Sequence, residues 1–400
     1  MIFITGSTGF LGREIVARLL LNDPQLRVAL LVRDSLFESA STRARKCLSE
    51  TIGEELSASL LDRVKVYRGD MEEKNLGLSS EDFTAISKEV TEIFHCAAST
   101  TLDLPIEKAR LANVFGTKEV LSLCNEAFRH QGKFPHLHHV STAYVAGATN
   151  EVVSPDELCF DRGFRNTYEQ SKAEAELLVR GFHPELHFTI YRPSIIVGNS
   201  VTGKTTAFNV IYIPAKFLAK GLFRALPGIP HVPFDIVPVD YVADAIVALS
   251  KRNLSKSSSF HVSAGLGRET TPKEILDFII DTVNRYRTRS KRSIHTPAFL
   301  PPEIVSMAQQ SLILASKNIT KLISKHLSVI RHILPFVPYM TSNPRFDTSA
   351  TVKELQGVVS PPPLFSDYAQ RVFHYCLDTN WGKTPKELSF KSLQTARIGS

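Results

Sequence analysis

Eight residues near the start, TGSTGFLG at 5–12, constrain this chain more than any other stretch. They stand between a short apolar run, IFIT at 2–5, and an amphipathic stretch, REIVARLLLN at 13–22. Strand, glycine-rich turn and helix in that order form the βαβ unit that grips a pyrophosphate. The turn needs a residue free of Cβ clashes, the backbone comes close to the phosphates, and the helix start offers unpaired N–H groups at a positive dipole end. Gly6, Gly9 and Gly12 are the glycines of that turn.

The rest of the first 265 residues repeats strand and helix. RVALLVRD at 27–34, VKVYRGDM at 64–71, EIFHCAAST at 92–100, HLHHVSTAYVAG at 136–147, FTIYRPSIIV at 188–197 and SSFHVSAG at 258–265 read as further buried strands. The stretches between them read as helices. The alternation predicts an α/β fold with a doubly wound parallel sheet covered on both faces. The second strand ends at Arg33, whose fork of donors suits a 2′-phosphate, so the expected cofactor is NADPH. Arg43 or Arg45 on the following helix would close over the same phosphate, unless they are only a solvated face. Asp34 is the competing reading, an acid for the ribose hydroxyls of NAD. Asp70 and Met71 fall where an adenine would lie, and Ala97 and Ala98 let backbone pass close under a cofactor. Asn113 and Gly116-Thr117 are candidates for holding neighbouring strand ends together.

The fifth strand ends at Ser141-Thr142, and NTYEQSKAEAELLVRG at 166–181 reads as a helix carrying Tyr168 and Lys172. Four residues make about one turn, so the ammonium and the phenol share a face, and a nearby cation lowers a tyrosine pKa. Thr142 would polarise a substrate oxygen. The bland reading is a chance helical pair.

Taken together, TGSTGFLG, LLVRD, GDMEEKNLGL, HCAAST, NVFGTKEVL, HVSTAYVAG, NTYEQSKAEAE, YRPSIIVG and FDIVPVDYVADAI resemble an extended short-chain dehydrogenase/reductase with a Rossmann fold. Within that superfamily the chain is most similar to fatty acyl-CoA reductases and thioester-reductase domains. The resemblance spans about residues 1–265. It implies Thr142, Tyr168 and Lys172 as the catalytic residues. It also implies cofactor contacts at Gly6, Thr8, Gly9, Phe10, Leu11, Gly12, Arg33, Arg43, Asp70, Met71, Ala97, Ala98, Asn113, Tyr168, Lys172, Pro193 and Ser194. The implied reaction is NADPH-dependent reduction of an acyl-CoA or acyl-carrier-protein thioester to an aldehyde or alcohol, with no metal. A ketone reductase or a nucleotide-sugar epimerase would use the same Tyr168 and Lys172 without cleaving a thioester, and a silent NADP-binding regulator is a third reading.

Other stretches are less specific. GNSVTGKT at 198–205 satisfies the pattern of a P-loop, but the resemblance aligns it with a loop bordering the substrate pocket, where Lys204 would meet the phosphates of coenzyme A. The apolar run at 207–228 is either core or the lining of an acyl-chain tunnel. Asp240 and Asp244 sit at a helix start, where carboxylates suit the dipole. A basic cluster at 284–295 and the prolines after it mark a boundary, dividing a 1–270 NADP-binding domain with substrate-pocket insertions from a smaller, mainly helical domain at 290–400. Apolar residues at helical period over 303–334, with Lys317, Lys321 and Lys325 in a separate row, predict either a helix covering the core or a surface resting on an anionic membrane.

The net charge of +7 suggests affinity for anions, but the basic cluster has only Tyr286 for stacking, so nucleic acid is not expected. Five scattered cysteines read as free thiols in a reducing compartment. With no leader and no long apolar run, the expected location is the cytoplasm, peripheral at a membrane if 303–334 touches lipid. No adenylation or carrier domain is expected ahead of residue 1, so the acyl group is expected to arrive on another molecule. The pattern specifies no oligomeric state.

Overall fold

The computed structural model describes residues 1–53, 58–223, 225–252, 257–287, 293–301 and 334–383. Its centre is a sheet of seven strands: β1 (Ile2–Thr5), β2 (Val28–Val32), β3 (Val64–Arg68), β4 (Glu92–His95), β5 (His136–Val140), β6 (Phe188–Pro193) and β7 (Ser258–Val262). They are parallel throughout and ordered β7-β6-β5-β4-β1-β2-β3. β1 and β2 are buried at every position, as continuous apolar strands of a sheet covered on both faces must be. β3 lies at the edge and exposes Lys65 and Arg68, charges that discourage a further strand from adding there.

The longer helices are α1 (Phe10–Asn22), α2 (Ala40–Ile52), α3 (Ser80–Glu89), α4 (Gly116–Gln131), α5 (Thr167–Gly181), α6 (Tyr212–Ala219), α7 (Val239–Ser250), α8 (Pro272–Tyr286) and α9 (Phe365–Asp378). Leu19 and Leu20 of α1, Ala44 of α2 and Ile246 of α7 share one core with the sheet, while Ile86 of α3, Val120 of α4 and Val179 of α5 share the other. The chain runs outward from β1 to β3, then returns to place β4 beside β1. This reversal opens a crevice at the carboxyl ends of the strands, the usual ligand position in a doubly wound sheet.

FTIYRPSIIV, expected as one strand, is two. Pro193 has no N–H to extend the ladder, and beyond it Ile195 donates to the Asp235 carbonyl at 3.4 Å. Ile195–Val197 therefore leaves the main sheet and pairs with Ile236–Pro238. A third core lies past this crossover, where Ile275 and Ile279 of α8 pack with Tyr368 and Val372 of α9. Residues from the two ends of the chain's second half thus bury one another, and Arg345–Phe346 pairs with Val152–Val153.

Asp240 and Asp244 take structural roles. Asp240 accepts from the Ser200 N–H at 2.8 Å, and Asp244 pairs with Arg18 of α1 at 2.5 Å. Arg285 of the basic cluster pairs with Asp281 at 2.9 Å, and Arg287 donates to the Ala219 carbonyl. Arg289, Lys291, Arg292 and nearly all of the 303–334 stretch lie outside the described residues. Among the described residues no helix is long and apolar enough to cross a membrane.

Candidate active site

The glycine turn joins β1 to α1 as the spacing requires. Gly6 has φ +72°, and a Cβ there would lie 2.6 Å from the Ala97 nitrogen; a Cβ on Gly12 would lie 2.1 Å from the Gly6 carbonyl oxygen. Only glycine fits either position. Helix α1 starts at Phe10 with Gly9 as N-cap and no side-chain cap, so its first N–H groups face the crevice without an internal partner. A glycine cradle at an uncapped helix start fits the pyrophosphate of a dinucleotide.

A buried polar chain fixes the floor beside it. Thr5 and His95 are register partners at the ends of β1 and β4. Thr117 Oγ1 donates to the Asn113 carbonyl at 2.7 Å, so it accepts from His95 Nε2 at 2.9 Å. His95 Nδ1 then accepts from Thr5 Oγ1 at 2.8 Å, and Thr5 Oγ1 accepts from the Ala97 N–H at 3.2 Å. Burial holds the His95 ring neutral, pushing it down to about 3, with Lys172 acting in the same direction. Asn113 lies in a π-helical turn, Leu111–Phe115. From there it accepts from the Ser99 N–H at 2.8 Å and donates to Ser171 Oγ at 2.9 Å. Asn113 thus ties the segment after β4 to α5, and Thr117 reaches the end of β4 through His95, while Gly116 packs on Met71. Of the expected links between strand ends, these residues make only the one at β4 directly. His95 is not among the residues the sequence singles out, although a His and a Thr closing two adjacent apolar strands are a usable signal.

Thr142, Tyr168 and Lys172 meet in one cavity of about 310 Å³, which also contains Gly6, Gly9, Phe10, Leu11, Gly12, Ala98, Pro193 and Ser194. Asn166 caps α5, accepting from the Glu169 N–H at 3.0 Å, so Tyr168 stands in the first turn of the helix. Thr142 Oγ1 donates to the Pro193 carbonyl at 3.4 Å. The expected pull of Lys172 on Tyr168 does not set the phenol. Burial pushes Tyr168 up to about 12, against a hydrogen bond with Thr142, while Lys172 Nζ donates to the Val140 carbonyl at 2.8 Å. Burial also pushes Lys172 down to about 8, opposed by Glu176 and Cys96.

Thr8, Arg33, Arg43, Asp70, Met71, Ala97 and Asn113 are not in the wall of that cavity. The Thr8 carbonyl accepts from Arg13 at 3.3 Å, and Met71 packs under Gly116. Arg33, Arg43 and Asp70 gather at the ends of β2 and β3. The Arg33 side chain is 61% exposed and lies 3.5 Å from Asp70, and Arg43 donates to the Arg33 carbonyl. Asp34 is engaged elsewhere, with the Ala40 N–H at 2.8 Å and Arg68 at 2.8 Å.

GNSVTGKT does not form a phosphate loop. No helix follows it until Tyr212, whereas a P-loop runs straight into one. The Val201 and Thr202 N–H groups turn inward to Asn199 Oδ1 at 2.9 Å, and a Cβ on Gly203 would lie 2.2 Å from the Arg371 carbonyl oxygen of α9. Lys204 donates to the Glu50 carbonyl at the end of α2 and is not part of the reaction cavity's wall. The apolar run at 207–228 supplies α6, whose Pro214, Ala215 and Leu218 face a second cavity of about 60 Å³, walled also by Ile275, Phe336 and Met340.

A model of the male sterility protein family, an NAD-binding domain, matches residues 4–246. Over 289 residues the chain is 29% identical to the nonribosomal peptide synthetase asaC of Aspergillus flavus, a match covering 68% of this chain and 27% of that protein. Over 287 residues it is 26% identical to fatty acyl-CoA reductase 2 of Homo sapiens, covering 62% of this chain and 54% of that protein. The chain therefore spans about a quarter to a half of the length of these curated relatives. Among solved structures it is similar to the terminal R domain from the myxalamid PKS-NRPS biosynthetic pathway. The TM-score is 0.76 at 26% identity, with 96% of this chain and 92% of that one covered. With the glycine turn, the crevice and the Thr142–Tyr168–Lys172 group all inside the matched span, the chain belongs to the male sterility protein family of NAD-binding domains.

Proposed function

We propose that the chain reduces an acyl thioester, carried on coenzyme A or a carrier protein, with NADPH as reductant. The observation that carries this reading is the single cavity in which the glycine turn, Thr142, Tyr168 and Lys172 converge, with an apolar cavity next to it. A bound nicotinamide would supply hydride to the thioester carbonyl carbon. Tyr168 gives its proton to the carbonyl oxygen, and Thr142 turns its hydroxyl from the long contact with the Pro193 carbonyl to donate where negative charge gathers. Lys172, held at the Val140 carbonyl, would hold the ribose of a bound nucleotide. The product of this addition is a hemithioacetal, which collapses to an aldehyde and a free thiol. A second hydride and proton would give the alcohol.

Hydride use with acyl-CoAs from four to sixteen carbons, recorded together with thiol release, tests the reading. One thiol per NADPH means an aldehyde product, and one per two means an alcohol. NADPH binding with no thiol released from these acyl-CoAs, nor from the same acyl groups on a carrier protein, would replace this reading by a ketone or aldehyde reductase using the same three residues.

The preference for NADPH rests on Arg33. It stands at the end of β2 with Arg43 beside it, whereas Asp34 is already bonded to Ala40 and Arg68. Charge-assisted hydrogen bonds contribute about 1.5–3 kcal/mol. Arg33→Ala should therefore weaken NADPH binding by about 10- to 100-fold and NADH binding by less than about 2-fold. Equal losses for the two cofactors in a fluorescence titration would remove Arg33 as the phosphate partner.

A further inference from the structure

Beyond the span matched by the family model, the short helical segment Leu334–Met340 returns to the reaction site. Its Tyr339 stands in the wall of the reaction cavity and also in the wall of the apolar cavity. Among the described residues Val210 is the other one common to both walls. The two side chains therefore form the partition between the place where a thioester carbonyl would react and the apolar space beyond.

The partition is held firmly. Tyr339 donates to Glu169 Oε1 at 2.5 Å and accepts from Asn166 Nδ2 at 2.7 Å. Those two residues flank Tyr168 in the first turn of α5. The Tyr144 ring meets Tyr339 edge-on, with centroids 5.2 Å apart, and the Arg165 guanidinium lies near both rings, 5.4 Å from the Tyr339 centroid and 5.9 Å from that of Tyr144. Glu169 is fully buried, so the hydroxyl that satisfies it cannot swing away at little cost. The other half of the partition is strained: Val210 has φ +42°, a region that β-branched residues rarely enter. Strain of this kind persists where the surroundings over-determine a site and clusters at ligand clamps.

We propose that Tyr339 is a specificity-determining residue that, with Val210, limits the length and bulk of the acyl group passing from the reaction cavity into the apolar one. This rests on the thioester reading above. In an apolar pocket each methylene changes discrimination by roughly 10- to 200-fold, so a partition displaced by one ring alters chain preference strongly. Tyr339→Ala should raise the ratio of kcat/KM for octanoyl-CoA over butanoyl-CoA by at least about 10-fold. Val210→Gly, which opens the same wall and relieves the strained backbone, should shift the ratio the same way and carries the test if Tyr339→Ala does not fold.

Binding of S-alkyl thioether analogues of coenzyme A, from four to sixteen carbons, read by calorimetry with NADP⁺ present, gives a measure independent of turnover. Long analogues should gain over short ones by about the same factor in both variants. An unchanged length profile in folded variants overturns the partition while leaving the reductase reading intact. Absence of thiol release by the unsubstituted protein from both acyl-CoA and acyl-carrier-protein substrates overturns the thioester reading, and the analogue titrations still decide the partition. No binding of any analogue overturns both.

Discussion

Tyr168→Phe should lower thioester turnover by about 10²- to 10⁴-fold, the usual contribution of a positioned proton donor, while leaving nucleotide affinity within about 2-fold. The ring remains in the first turn of α5, and only the hydroxyl proposed to give its proton is lost. With its phenol pushed up to about 12 by burial, Tyr168 stays protonated across the neutral range. That is the state a donor needs at the start of a reduction. Thr142 and Lys172 remain and preserve the cavity and the cofactor side of the site. Single-turnover kinetics with saturating NADPH, beside a binding titration, separate the two quantities. Full turnover in this variant would assign the proton to another group.

The second large effect is on stability. Glu176→Leu should destabilise the protein by about 3–5 kcal/mol, the cost of leaving a buried charge unpaired. Glu176 and Arg192 are both fully buried. The carboxylate accepts from Arg192 at 2.6 and 3.1 Å, from Ser141 Oγ at 2.8 Å and from Arg180 at 2.9 Å. The Arg192 guanidinium also donates to the Glu157 carbonyl at 2.8 Å. Burial raises the Glu176 carboxyl, but Arg192, Arg180 and Ser141 outweigh it and hold the group below its ordinary value. A depressed carboxyl stabilises the fold above its unfolded pKa, and this contribution is lost as the pH falls through the folded value. Denaturant melts should therefore show wild type losing more stability on acidification than Glu176→Leu. The double variant Glu176→Leu/Arg192→Met should recover most of the loss, because the fully buried charge is gone and Arg180, whose side chain is 23% exposed, keeps water and Ser259 as partners. No recovery would mean that the pair's geometry, rather than its charge, is what the fold requires. Because Ser141 precedes Thr142, the single variant should also lower turnover in whatever fraction remains folded.

The legible parts of this protein are those whose physics is local. A strand, three glycines and a helix start share twelve residues, and Tyr168 and Lys172 lie one helical turn apart, so chain order alone brings each group together. The parallel sheet itself is written in the alternation of elements. The rest depends on tertiary neighbours. Thr5 meets His95 across 90 residues of sequence, and no window contains both. Lys204 has the look of a phosphate ligand, but the fold sets it against α2. The pull of Lys172 on Tyr168, read from helical spacing, gives way to burial, which spacing does not report. The break at Ser194 is marked by Pro193, but the partner Ile236–Pro238 that draws the chain away lies some forty residues on.

The bond from Tyr339 to Glu169 joins residues 170 positions apart. A ribosome adding roughly 5–20 residues per second delivers the tyrosine about 10–30 s after the glutamate. During synthesis, then, the part of the chain that forms the seven-stranded sheet emerges first and waits, with Glu169, next to Tyr168, still wet. Tyr339 joins the cavity wall only when the distal segment arrives, so a nascent chain stalled before that point would carry the glycine-turn cleft with its wall open at that one position.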